Sequence, residues 1–265
     1  MKALATLSAL ACLLAFGWFA LPAHARDAAP APRPTIVLVH GAFADSSSWN
    51  GVAARLLARG YPVVAVANPL RGVKADAAYL DGVVAAIHGP VVLVGHSYGG
   101  AVISNAGDAG RKVKALVFVA AFAPEAGETA AGLSSRFPGS TLAAALAPPV
   151  ALPGGGHDLY VRQERFHPQF AADLPAAQAA VVAVAQRPVT EAALNEPSGA
   201  PAWASIPSWS IYGSADRNIP PQALAFMARR ARVRHVVEID GASHLVMASH
   251  PDEVARLIVE AAQSR

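Results

Sequence analysis

From Thr35 onward, short and nearly unbroken runs of β-branched and aliphatic residues alternate with longer stretches whose apolar positions recur at helical spacing. The runs are Thr35 to Val39, Val63 to Ala67, Val91 to Val94, Val113 to Val119, Ser208 to Tyr212 and Val233 to Ile239. A strand with one wet face alternates apolar and polar residues, whereas an uninterrupted run suits a strand covered on both faces, as in a parallel sheet between helical layers. Between the runs, Leu80, Val83, Val84 and Ile87 fall at i, i+3, i+4 and i+7, one apolar stripe of a helix. The last helix starts at Pro251, with Asp252 and Glu253 in the first turn, where the helix dipole favours acids. Repeated strand-then-helix units predict an α/β fold with a doubly wound, mostly parallel sheet.

One stretch breaks the alternation. From about Pro124 to Ile206 there is no strong strand signal, but many Ala, Pro and Gly, together with His157, Tyr160, Phe166, His167, Phe170 and Trp203. Structureless loops of that length are rare in compact domains, so the stretch predicts an inserted, mostly helical cap. Its position in the chain sets it over the C-terminal edge of the sheet, where open α/β folds bind ligands.

The first 25 residues differ from the rest. Lys2, an apolar run from Ala3 to Leu21 and the small-residue pattern Ala23-His24-Ala25 predict a cleavable signal peptide, with an uncleaved membrane anchor as the alternative. A Pro-rich leader over 26–34 follows, and residues 35–265 form the expected domain. The expected product is exported, periplasmic or secreted, with no stable membrane insertion after processing. Cys12 is the only cysteine, so the mature chain must hold its fold without disulfides. The formal charge is +3, and Lys and Arg read as scattered, so no nucleic-acid surface is expected.

The strongest chemical signal is Val91-Val92-Leu93-Val94-Gly95-His96-Ser97-Tyr98-Gly99-Gly100, a buried strand running into Gly-x-Ser-x-Gly and then a helix over Ala101 to Ala106. This is a nucleophile elbow: the sharp turn presents the Ser97 hydroxyl at the sheet edge and needs Gly95 and Gly99 where a Cβ would clash. A serine hydroxyl is a weak nucleophile, so a base must take its proton and a third group must orient that base. Asp216 follows the strand ending Ile211-Tyr212-Gly213, and His244 follows the strand ending Glu238-Ile239-Asp240, in the order Ser, Asp, His. Asp240 is the rival acid. An acyl-transfer site also needs backbone N–H donors for an oxyanion. Tyr98 supplies one, and the loop after His40-Gly41 supplies the other through Ala42 or, alternatively, Phe43. His40 reads as a brace for this loop. Phe43, Phe122 and Trp203 are the candidate substrate-contacting residues, within a set that also includes Tyr98, Tyr160 and Phe166.

His88, His96, His157, His167, His235 and His250 show no metal-ligand spacing, so no metal is expected. Neither Gly-x-x-x-x-Gly-Lys-Ser/Thr nor a post-strand Gly-x-Gly-x-x-Gly occurs, so no phosphate or dinucleotide cofactor is expected.

Together, His40-Gly41-Ala42-Phe43, Gly95-His96-Ser97-Tyr98-Gly99-Gly100, Asp216 and His244 resemble the α/β-hydrolase superfamily over residues 35 to 263. With Ala121-Phe122-Ala123-Pro124 and the cap, they resemble its esterase and hydroxynitrile-lyase branch. That resemblance implies an α/β-hydrolase fold, Ala42 and Tyr98 as oxyanion donors, and a serine hydrolase acting on a small carboxylic ester through an acyl-enzyme. Hydroxynitrile lyases of this branch carry Lys directly after the catalytic His and Thr after the first-strand His; here Leu245 and Gly41 stand there. A cofactor-free lyase or perhydrolase on the same triad is the alternative enzyme. A non-catalytic small-ligand binding protein is the alternative from outside enzymology.

Overall fold

The computed structural model describes residues 33–106 and 112–264; the segment read as a signal peptide and most of the Pro-rich leader lie outside the described residues. The elements run β1 (Thr35–Val39), α1 (Asn50–Ala58), β2 (Val63–Val66), α2 (Val73–Ala85), β3 (Val91–His96), α3 (Tyr98–Asn105) and β4 (Val113–Val119). After a long inserted segment come β8 (Ser208–Gly213), α9 (Pro221–Arg230), β9 (His235–Ile239), α10 (Val246–Ser249) and α11 (Pro251–Gln263). The inserted segment holds α4 (Ala130–Ser135), α5 (Leu142–Ala145), β5 (Val150–Ala151), β6 (His157–Leu159), α6 (Gln163–Phe170), α7 (Ala176–Ala185), β7 (Val189–Thr190) and α8 (Glu191–Asn195).

The six long strands form one parallel sheet in the order β2-β1-β3-β4-β8-β9. Burial explains the uninterrupted runs. Every residue of β1, β3 and β8 is buried, while the edge strands β2 and β9 are largely half-buried or exposed. Helices α1 and α11 pack together, as do α2 and α3. The chain moves from β1 out to β2 and then back across to β3, so the winding direction reverses between β1 and β3. The crevice at such a reversal is where loops from adjacent strand ends diverge and a ligand can enter.

The inserted segment is mostly helical, as expected, but it also carries strands that the sequence did not signal. It contains a three-stranded antiparallel sheet, β5-β6-β7, whose strands are two or three residues long. Strands so short show no alternation to read. Polar contacts seat this sheet on the loop after β2. The Arg71 guanidinium pairs with Asp158 at 2.6 Å and donates to the Pro188 carbonyl at 3.0 Å, and the Thr190 N–H donates to the Leu70 carbonyl at 3.1 Å.

Helix α3 begins at Tyr98, three residues earlier than the sequence suggested, and lies directly against β1. A Cβ on Gly99 would stand 2.4 Å from the Val39 carbonyl oxygen, and neither partner can retreat because both are backbone. Gly99→Ala is therefore expected to cost about 3 kcal/mol, a drop of roughly 6–12 °C in Tm by calorimetry. Gly82→Ala, on an exposed turn of α2 where a Cβ meets nothing within 4 Å, is expected to hold or raise Tm. Equal melting of the two variants would refute this account of α3 packing.

Candidate active site

The three residues singled out by motif and order stand where the strands end. Ser97 caps α3 with φ 52° and ψ −121°, a conformation rarely adopted by L residues. It is pinned on both sides: its N–H donates to the Val119 carbonyl at 3.2 Å, and its carbonyl accepts from Gly100 at 3.0 Å and Phe122 at 3.1 Å. The strained turn leaves the side chain in the wall of a cavity of about 400 Å³, which His244 also lines.

His244 is 1% exposed and Asp216 4%. Nδ1 of His244 donates to Asp216 Oδ2 at 2.6 Å. The other carboxylate oxygen accepts the N–H groups of Asn218 at 2.8 Å and Ile219 at 3.0 Å. The acid is thus held by its own loop while it holds the imidazole. Asp240, the rival acid, is exposed and accepts instead from the Ser214 hydroxyl at 3.0 Å.

Gly41 brings the loop after β1 against the elbow; a Cβ there would lie 2.6 Å from Ser97 Cβ and 3.0 Å from the Tyr98 nitrogen. Of the two alternatives for a second donor, Phe43 has its N–H committed to the Arg187 carbonyl at 3.0 Å. Among the described residues, the amides of Ala42 and Tyr98 have no protein acceptor, and both residues line the cavity. Tyr98 also ties the site down through its side chain, whose hydroxyl donates to the buried Asp76 carboxylate at 2.9 Å. Burial and the Asp76 charge push the Tyr98 phenol far above its usual range, so it stays a neutral donor.

Two more histidines lie behind the site. His40 accepts the Asn68 N–H at Nε2 (3.1 Å), and Nδ1 lies 3.0 Å from the Gly41 carbonyl, which braces the loop as expected. His96 donates from Nε2 to the His244 carbonyl at 3.2 Å, and its ring lies 4.8 Å from that of His244. Burial lowers the pKa of both His40 and His96, and for His96 the neighbouring His244 lowers it further.

The substrate-contacting candidates divide. Phe43 and Phe122 line the cavity, but Trp203 does not. Its indole N–H donates to the Pro124 carbonyl at 3.1 Å, and it borders a separate groove at the start of β8, on the opposite sheet edge from Ser97. Arg229, Arg230, Arg232 and Arg234 form a short basic run near there, a cluster that the reading of scattered charge missed, although Arg230 is paired with Glu128 at 2.6 Å. Tyr160 and Phe166 are also absent from the cavity lining; Phe166 packs under Phe170 at 4.9 Å between ring centroids. Much of the wall comes instead from residues that the sequence did not single out, Ala130, Ser134, Phe137, Leu142, Leu146 and Leu194 of the inserted segment, joined by Phe170 of the cap aromatics. Asn218 and Ile219 complete it, and their place beside Asp216 was the one signal that could have found them. No cluster of metal-ligating side chains occurs among the described residues.

A parallel sheet that presents a strained serine between β3 and α3, with an acid and a histidine beyond β8 and β9, defines an α/β hydrolase. The chain belongs to the alpha/beta hydrolase family, which residues 36–257 match. Among solved structures it is similar to polyneuridine aldehyde esterase, with 19% identity over 86% of this chain and 98% of that one, at a TM-score of 0.74. It is similar also to a pyrethroid hydrolase from Sphingobium faniae JZ-2 (22% identity, 87% of this chain and 98% of that, TM-score 0.69). A third is an extracellular alpha/beta-hydrolase from a Paenibacillus species (22% identity, 87% and 100%, TM-score 0.68). At these identities the likeness is one of fold. No curated protein matches the chain in sequence.

The buried imidazoles set a pH dependence of stability. Unfolded histidines titrate near 6.5, while folded His40 and His96 resist protonation, so below that value the unfolded chain binds more protons. Stability is full above about pH 6.5 and falls as pH drops through and below it, by up to about 1.4 kcal/mol per pH unit for each histidine. Urea unfolding at pH 7.5, 6.5 and 5.5 measures this, and an unchanged midpoint between 6.5 and 5.5 would contradict it.

Proposed function

We propose that the protein is a serine hydrolase of small, uncharged carboxylic esters. Ser97 is the nucleophile, His244 the general base, Asp216 the group that orients it, and the Ala42 and Tyr98 N–H groups the oxyanion donors. The observation that carries this reading is the buried His244–Asp216 hydrogen bond in the wall that also presents Ser97. With Nδ1 engaged by the carboxylate, the ring is held in the tautomer whose Nε2 can accept the serine proton.

In the proposed reaction Ser97 Oγ attacks the ester carbonyl and His244 takes the hydroxyl proton. The carbonyl oxygen, now negative, is met by the two free amides, one at the N-terminus of α3, where the helix dipole adds to the attraction. His244 then passes the proton to the leaving alcohol. Water, deprotonated by the same imidazole, attacks the acyl-enzyme and releases the acid. The two donors account for about 3–4 kcal/mol each of barrier lowering if they act as such donors do elsewhere.

The cavity supports an apolar substrate. Among the described residues, His244 is the only titratable side chain in its wall apart from Tyr98, whose phenol is turned to Asp76. The hydroxyls of Ser134 and Ser140 are spent on the Asn218 carbonyl, each at 2.9 Å. A substrate carboxylate would therefore lose its water and find no cation. The position after His244 is the fully buried Leu245, which offers no ammonium to a leaving cyanide. That favours ester hydrolysis over nitrile cleavage. Polyneuridine aldehyde esterase and the pyrethroid hydrolase, both similar in fold, are by their names hydrolytic enzymes.

A fluorophosphonate probe is expected to label the wild type and not Ser97→Ala, with both folded by circular dichroism. Asp216→Asn should keep the label site but lower kcat by roughly 10⁴-fold. Equal labelling of wild type and Ser97→Ala would rule out the proposed nucleophile. Turnover of mandelonitrile without any turnover of p-nitrophenyl esters would replace hydrolysis with lyase chemistry.

For substrate class, kcat/KM for p-nitrophenyl butyrate should exceed that for the anionic p-nitrophenyl hemisuccinate by roughly a hundredfold or more, the cost of burying an unpaired charge. Comparable values for the two would show that the apolar wall does not select the acyl group.

A further inference from the structure

Asp216 and His244 stand on separate loops, one beyond β8 and one beyond β9, and strand pairing alone does not decide how two loop side chains meet. One short piece of the inserted segment, Gln169 to Asp173 at the end of α6, grips both loops. The last carbonyls of a helix have no partner within it. Here the Gln169 carbonyl accepts Asn218 Nδ2 at 3.2 Å, and the Phe170 carbonyl accepts the Leu245 N–H at 3.2 Å.

Side chains double the grip. Gln169 is 7% exposed; its Nε2 donates to the Arg217 carbonyl at 2.9 Å and to Asn218 Oδ1 at 3.1 Å, while its Oε1 accepts the Thr141 hydroxyl at 2.8 Å. Arg217 and Asn218 directly follow Asp216, and the Asn218 N–H is itself a donor to Asp216 Oδ1. On the other loop, Asp173 accepts the hydroxyl of Ser243, the residue before His244, and its second oxygen lies 3.5 Å from His250 Nε2. Between the two grips, the Phe170 ring stands edge-on to the His244 imidazole with centroids 4.8 Å apart.

We infer that Gln169 and Asp173 are positioning residues, which clamp the acid loop and the histidine loop in register from outside the sheet and so set the His244–Asp216 hydrogen bond. Neither lines the cavity. The kinetic consequence rests on the hydrolase reading; the structural consequence does not. A small misplacement of a base relative to its nucleophile is enough to cost one to two orders of magnitude in rate.

The test compares Gln169→Ala and Asp173→Asn with Gln186→Ala in the full chain. Gln186 is a matched control, because it hydrogen-bonds both the N–H and the carbonyl of Val161 at 2.9 Å within the same inserted segment and touches neither loop. Two readouts are taken: the downfield proton resonance of the His244 Nδ1–H, and kcat and KM for p-nitrophenyl butyrate. Gln169→Ala should lose or shift the resonance and lower kcat by about 10- to 100-fold with KM within about twofold. Asp173→Asn, which keeps an acceptor for Ser243, should shift the resonance less and lower kcat by about threefold. Gln186→Ala should lower Tm while leaving resonance and kcat in place.

An unchanged resonance in folded Gln169→Ala and Asp173→Asn overturns the clamp, and so does an equal change in Gln186→Ala. If Gln169→Ala does not fold, Asp173→Asn decides by the same criterion. A wild type that shows the resonance, yet neither turns over esters nor labels at Ser97, defeats the hydrolase reading and leaves the clamp to be judged by the resonance alone.

Discussion

Ser97 is held at φ 52° and ψ −121°, a backbone state that costs an L residue on the order of 1–3 kcal/mol, and the centre of the molecule is arranged to keep it there. The restoring contacts come from the neighbouring strand. Val119 at the end of β4 accepts the Ser97 N–H, and Phe122 just beyond it donates to the Ser97 carbonyl. For that strand end to reach the turn, the turn must sit within backbone contact of β1 on one side and of the β4 loop on the other. A Cβ on Gly41 would meet Ser97 itself, and one on Gly100 would lie 2.3 Å from the Phe122 carbonyl. The same close approach sets the Ala42 and Tyr98 amides on one cavity wall, so the strain and the proposed oxyanion site have a common origin.

This constraint explains why so much was legible. A buried parallel strand needs an unbroken apolar run, and a strained turn needs glycine at fixed offsets, so both leave marks within a few residues of one another. The buried strands β1, β3 and β8 were visible for that reason, the half-buried or exposed edge strands β2 and β9 through their β-branched residues, and Ser97 because its surroundings admit so few alternatives. Asp216 and His244 were found by order along the chain, since each stands just beyond a strand end. Distance in space decides between acids, however, and the sequence could not show that Asp240 turns to Ser214 while Asp216 turns to His244.

What escaped has the opposite character. Trp203 carries an aromatic signature, but its indole N–H meets the Pro124 carbonyl and its ring borders a groove other than the cavity. Much of the cavity wall is Ala, Leu and Ser of the inserted segment, residues whose types fit a core as well as a pocket. The three short cap strands are too brief to show a period. The grip of Gln169 on the loop after Asp216 joins residues 49 positions apart through a side chain that most often signifies only a polar surface. Contacts of this kind depend on where an insertion lands, and no local pattern encodes that.

Three imidazoles, His40, His96 and His244, run inward from the cavity, and their burial has one electrostatic effect. A cation on His96 would stand 4.8 Å from the His244 ring, and like charges at that distance repel strongly where water is excluded. Burial holds His96 neutral, and its Nε2–H is turned to the His244 carbonyl, where a neutral donor suffices. The positive charge that the proposed reaction places on His244 then has one close counterpart, the Asp216 carboxylate. The buried layer behind the site therefore does two things with one set of side chains: it fixes the loop that carries His244, and it keeps a competing charge from that imidazole.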